Sequence, residues 1–170
     1  SNISLVLNTG EVLGIVGESG CGKSTLGRIL AGILQPSSGS IAFQGTPLSA
    51  MDPATRVKTF LKIQMIFQDP MSSLNPRKRV SDLIAEAPLV HGLLDPKDRD
   101  DFVYNALTRV GLDPDTLSRF PHQFSGGQRQ RINIARALAV TPEILICDES
   151  VAALDVSIQA QILNVFMALK

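Results

Sequence analysis

The sequence has no tryptophan and one tyrosine, and aromatic residues make up only 5% of it. Its core must therefore be filled by branched aliphatic side chains, which account for much of the 44% hydrophobic content. Cysteine is nearly absent too. Cys21 and Cys147 stand far apart, with no second cysteine or histidine at metal spacing. That excludes a disulfide scaffold and a zinc site, and predicts two reduced cytosolic thiols. Net charge is missing as well: sixteen basic residues balance sixteen acidic ones. Such a chain has no excess of cations to displace counterions from nucleic acid, so no nucleic-acid partner is expected. No apolar run approaches the roughly 20 residues of a membrane span. The opening SNISLVLNTG does not read as a secretory leader.

What is present fits one globular unit of 170 residues, or one domain with a subdomain. Short apolar runs alternate with helical patterns at first: ISLVL at 3–7, VLGIV at 12–16, a helix over 24–34, SIAF at 40–43 and IQMIF at 63–67. Short β runs around a helix predict a βαβ arrangement with a buried parallel sheet. From Asp69 to Phe124 prolines and charges punctuate three helical pieces, over 80–90, 97–110 and 114–120, with no strand pattern between them. A helix over 127–140 and the strand ILICD at 144–148 follow. In the last helix Ile158, Ile162, Val165 and Leu169 form one apolar stripe. The expected division is an α/β core over 1–68 and 140–170, holding an inserted helical subdomain over 69–139. The chain opens within a strand pattern and stops within a helical one, so it reads as a piece of a longer protein.

GESGCGKST at 17–25 fits G-x-x-x-x-G-K-[ST], and it follows an apolar run while opening a helix. The run comprises Gly17, Glu18, Ser19, Gly20, Cys21, Gly22, Lys23, Ser24 and Thr25. Its glycines permit close approach and positive φ, so successive N–H groups can wrap a phosphate at a helix N-terminus. Lys23 adds a point charge for the β and γ oxygens, and the Ser24 hydroxyl can ligate Mg²⁺. The fold class that follows is a P-loop NTPase. Cys21 is read as a spacer between glycines. At the end of ILICDES, Asp148 and Glu149 are adjacent carboxylates. The carboxyl ends of strands in an open parallel sheet face the ligand crevice. Asp148 is thus expected to hold Mg²⁺ through water and Glu149 to polarise an attacking water.

Together these residues resemble the nucleotide-binding domain of an ATP-binding cassette (ABC) transporter. FSGGQ, in which Ser125, Gly126, Gly127 and Gln128 follow Phe124, is similar to that family's signature motif, with phenylalanine where leucine is usual. Gln68 in IFQDP matches the Q-loop glutamine, which the resemblance implies senses Mg²⁺ and the attacking water beside the docking point of a transmembrane partner. AALD resembles the D-loop, with Asp155 as its acidic member; Ser150 and Ala152 stand where relatives commonly have proline and serine. Longer stretches, IFQDPMSSLNPRKRV, RFPHQFSGGQRQRINIARAL and LDVSIQAQILN, resemble the branch importing di- and oligopeptides, whose near kin import nickel and opines.

The resemblance implies an ATPase that powers import, with ATP and Mg²⁺ as ligands and catalytic roles for Glu149, Lys23 and Gln68. Ser24, Asp148 and Gln68 would surround the metal. Two such domains would sandwich two ATPs, each between one phosphate loop and the other's signature. Transmembrane permease subunits and, indirectly, an extracytoplasmic solute-binding protein complete the expected partners, at the inner face of the cell membrane. The family's base-stacking aromatic and switch histidine have no matching positions; His91, His122 and Tyr104 are not candidates for them. A soluble ABC ATPase of DNA maintenance or translation is the alternative; the DNA-maintenance form is disfavoured because Gln68 and Ser125 lie only 57 positions apart with no heptad run between. A module that binds nucleotide without turning it over is a third reading. On the helix after the signature, Arg129, Asn133 and Arg136 form a polar stripe, read either as a phosphate or partner contact or as a solvated face. Arg131 falls nearer the apolar side and must pair or snorkel.

Overall fold

The computed structural model describes residues 3–149 and 154–167. Residues 3–22 form no strand, although two were expected there, and their apolar side chains face outward: Val12 is 75% and Val16 96% exposed. β-forming side chains favour a pleated surface that a neighbouring strand provides, and none pairs with this stretch. Helix α1 (Lys23–Leu30) starts from Gly22, whose φ of 101° places it in the left-handed region. It is shorter than expected because Gly32 turns left-handed at φ 73°. There the amide of Gly32 donates to Ile29 and that of Ile33 to Arg28, a double bond pattern that closes a helix end.

Strands β1 (Ala42–Phe43) and β2 (Thr46–Pro47) make a small antiparallel hairpin around Gln44 and Gly45, both at positive φ. The sequence reading missed α2 (Pro53–Leu61). Its signal was present: Asp52 accepts from the amides of Ala54 and Thr55, and Pro53 occupies the first turn. Strand β3 (Ile63–Ile66) is followed by the short α3 (Pro70–Ser73), then by α4 (Val80–Val90) and α5 (Arg99–Arg109). The expected helix over 114–120 is instead a single 3₁₀ turn, Pro114–Thr116, with a second, Pro121–Gln123, just beyond it; proline at each start supplies no amide to carry a longer helix backwards. Helix α6 (Gly126–Leu138), strand β4 (Ile144–Cys147) and α7 (Val156–Met167) complete the chain. Ser150, Ala152 and Leu169 lie outside the described residues.

Strands β3 and β4 pair in parallel, Ile63 with Ile144 through Ile66 with Cys147. Between them the described chain holds helices and turns but no strand. The main core lies among those helices. Val80, Ile84, Val103, Leu107, Val110, Ile132 and Ile134 are fully buried, and Ile162 of α7 joins them. A second, smaller cluster of Phe43, Leu48 and Ile63 packs beside the sheet. Gly27 seats α1 on the strand pair: a Cβ there would stand 3.3 Å from both Ile146 Cγ2 and Met65 Cε.

Candidate functional site

The parallel register determines the chemistry at the carboxyl ends of the two strands. The pairing runs one step past β4, where the amide of Asp148 donates to Ile66 at 3.0 Å. That sets Phe67 and Gln68 beside Asp148 and Glu149. The Gln68 Nε2 then donates to Glu149 Oε2 at 2.7 Å, joining residues 81 apart in sequence. Glu149 holds this position with φ at 49°, a left-handed conformation that costs a non-glycine residue roughly 1 kcal/mol.

Because α1 sits closely on the strands through Gly27, its first turn faces the same end. Ser24 Oγ donates to Asp148 Oδ1 at 3.0 Å, in a partly buried setting. A hydroxyl beside a carboxylate is a pair of hard oxygen donors. Mg²⁺ is commonly bound by one or two protein carboxylates with waters and substrate phosphates completing its shell. The donor set therefore fits the ion. No cluster of three or more histidine, cysteine or acidic side chains suited to a metal occurs among the described residues.

The phosphate loop is exposed, and Gly20 and Gly22 both have positive φ. Lys23 folds back across it, its Nζ donating to the carbonyls of Gly17 at 2.7 Å and Glu18 at 2.8 Å. This holds the ammonium over the loop, where a phosphate chain would meet it. Cys21 lies within 3.9 Å of the same Nζ, and both Cys21 and Cys147 are exposed. Thr25 is exposed in the first turn of α1.

The signature residues form a separate feature. Ser125 caps α6, its Oγ accepting from the Gln128 amide at 3.3 Å, while Gln128 Oε1 accepts from the Ser125 amide at 2.9 Å. Gly126 and Gly127 occupy the first turn. Ser125, Gly127, Gln128, Arg131 and Asp155 line a cavity of about 230 Å³. Asp155 thus lies with the signature of its own chain. No hydrogen bond joins the signature residues to residues 17–25 among the described side chains. Arg131 pairs as its placement required, donating to Gly111. Burial lowers its pKa, and the charge of Asp155 opposes that shift.

The polar stripe of α6 turns inward rather than to open solvent: Asn133 is buried and Arg136 half-buried. Asn133 and Arg136 face α3, and the third member is Gln130 rather than Arg129. Arg129 instead donates through Nε to Pro121 at 2.8 Å. Spacing was the missed signal, since Gln130, Asn133 and Arg136 stand three residues apart. His91 and His122 are exposed, the latter stacked on Phe120, and Tyr104 is half exposed.

The family model described as ABC transporter matches residues 1–152. The chain is 50% identical over 169 residues to the oligopeptide transport ATP-binding protein AppF of Bacillus subtilis (strain 168), covering 99% of this chain and 51% of that protein. It is 46% identical over 168 residues to the dipeptide transport ATP-binding protein DppF of Escherichia coli (strain K12), covering 99% and 50%. Among solved structures it resembles the post-hydrolysis dimer of the ATP-binding cassette MJ0796 bound to ADP and Pi, with TM-score 0.84 and 30% identity over 95% of this chain and 70% of that one. The chain spans about half the length of the curated relatives it matches. A phosphate loop joined to an acidic strand end, a capped signature helix and these matches give one conclusion: the chain belongs to the ABC transporter family, with its P-loop NTPase fold.

Proposed function

We propose that this chain is the ATP-hydrolysing part of a machine that imports a solute across the cytoplasmic membrane, with di- or oligopeptides as cargo. The observation that carries the reading is the meeting of three distant segments: Ser24 on Asp148 at 3.0 Å and Gln68 on Glu149 at 2.7 Å, beside a loop crossed by Lys23. The cargo is supported by relatives named for oligopeptide and dipeptide transport.

In this reading the amides of residues 17–25 and Lys23 bind the phosphates of ATP. Ser24 and Asp148 would hold Mg²⁺, which supplies charge neutralisation on the β and γ oxygens. Glu149 takes the proton of the attacking water, and Gln68 orients that carboxylate and the water. Ser125 and Gly127 would cover the γ-phosphate of a second molecule, with Asp155 beside them, so hydrolysis requires a pair of domains. Residues 69–139 form the helical subdomain that carries movement from the Gln68 region to transmembrane permease subunits. A solute-binding protein delivers the cargo on the other face.

The test is Glu149→Gln in the full-length protein. ATP binding is expected to persist while phosphate release falls about 10²- to 10⁴-fold, the usual worth of a general base. Unchanged turnover would remove Glu149 from the role. Specific activity that stays flat as protein concentration rises would count against the paired arrangement.

A further inference from the structure

Three side chains of α6 reach one neighbouring segment at one fixed spacing. Gln130 Nε2 donates to the Phe67 carbonyl at 3.2 Å, Asn133 Nδ2 to that of Pro70 at 3.4 Å, and Arg136 Nη1 to that of Ser73 at 2.6 Å. Every donor lies 63 residues beyond its acceptor. A step of three along α6 is therefore met by a step of three along residues 67–73, and a slip of one residue would break the whole set. The acceptors are main-chain carbonyls, so the ladder fixes the path of the backbone whatever side chains stand at 67, 70 and 73.

Each end of this fastened unit reaches chemistry. Phe67 immediately precedes Gln68, whose amide bonds Glu149. Helix α6 begins at Gly126, with Ser125 as its cap. We propose that Gln130, Asn133 and Arg136 are positioning residues, a ladder that fastens the Gln68 segment to the signature helix so that a shift of α6 moves Gln68 relative to Glu149. This rests on the proposed ATP hydrolysis by paired domains. Engagement of the signature with a second molecule's nucleotide is then felt at the catalytic carboxylate of its own chain.

The composition of the ladder favours positioning over simple packing. Asn133 is 3% exposed, and its Oδ1 meets no donor among the described residues. A buried polar atom left without a partner is a penalty that an apolar side chain of similar shape avoids. Ile132 and Ile134 of the same helix are such side chains, fully buried. The guanidinium of Arg136 is likewise desolvated, which lowers its pKa against the favourable charge of Glu86.

The experiment uses the full-length protein carrying Asn133→Leu, Arg136→Gln or Arg136→Lys, each alone and with Gln68→Ala. Tm, ATP affinity, kcat and amide exchange over residues 67–73 are measured. Asn133→Leu is expected to keep Tm and ATP affinity while kcat falls roughly 10- to 100-fold, the scale set by about 1 Å of misplacement. Exchange over 67–73 rises, a readout that needs no hydrolysis. Arg136→Lys retains a donor for Ser73 and restores most of the kcat lost in Arg136→Gln. With Gln68→Ala present, ladder substitutions change kcat less than about twofold, because residues acting as one unit are non-additive. Multiplying losses in that background would overturn the proposal, as would wild-type kcat in Asn133→Leu. Full turnover in Gln68→Ala alone would also overturn it while leaving ATP hydrolysis standing. If the wild type binds but does not hydrolyse ATP, the functional reading itself fails, and the coupling with it.

Discussion

Replacing Gly27 by valine should separate the two halves of the candidate metal site without touching either. A Cβ at this position would already lie 3.3 Å from Ile146 Cγ2 and from Met65 Cε. Comfortable carbon contacts are about 3.5–4.0 Å. Alanine therefore asks for a few tenths of an ångström, which the flexible end of Met65 can give more easily than Ile146. Its higher helix propensity, worth about 1 kcal/mol over glycine, offsets that strain. Valine adds two more carbons a bond length further out, where the strand pair cannot yield, so α1 must lift by roughly 1 Å. Overpacking of this kind costs about 1–3 kcal/mol. Ser24 is carried away from Asp148, now 3.0 Å distant, and losing a hydrogen bond to a charged acceptor adds about 1.5–3 kcal/mol. The total, about 2.5–6 kcal/mol, corresponds to a fall in Tm of roughly 5–24 °C at about 2–4 °C per kcal/mol. Thermal unfolding of the full-length protein measures the first effect, and ATPase rate against Mg²⁺ concentration measures the second. Gly27→Ala should stay near wild type in both, while Gly27→Val should melt earlier and need more Mg²⁺. Wild-type Tm and Mg²⁺ dependence in Gly27→Val would refute the view that this close contact holds the site together.

Other perturbations follow from the same geometry. Ile84, fully buried in the helical core, should cost about 2–5 kcal/mol on change to alanine, read as a lower unfolding midpoint. The Asp52 carboxyl is held below its ordinary value by the Thr55 hydroxyl and amide. Its contribution to stability is therefore present above its unfolded pKa and lost as pH falls through the lower folded one. Asp52→Ala should melt earlier than wild type at neutral pH and match it in strong acid; an equal gap at both would contradict the cap.

Much of this was legible in the chain, and the exceptions are instructive. Helix α4 spans the first helical piece that prolines and charges set off, and the β3–β4 pair matches two apolar runs, because each segment's pattern agrees with where it packs. Helix α2 is announced by Asp52 and Pro53 rather than by an apolar stripe: Val57 is exposed and Thr59 is its buried residue. VLGIV at 12–16 read as a strand on side-chain type alone, but a strand needs a partner, which side-chain type does not specify. At the site, residue types carried the phosphate loop and the acidic pair. The Gln68–Glu149 contact depends on parallel register, a relation between segments 81 residues apart. Of the ladder only the donors are legible in the sequence: Asn133 and Arg136 are polar, but their acceptors are main-chain carbonyls, which any residue at 70 and 73 would supply.

The cap on α6 has one more implication. The Ser125 oxygen already accepts the Gln128 amide, so its lone pair serves the helix while its single proton stays available to point outward. Aspartate would cap as well but brings negative charge and no proton; alanine would do neither. In the proposed pairing, serine could thus donate to the anion that a second molecule would bring, without loosening the helix that presents it.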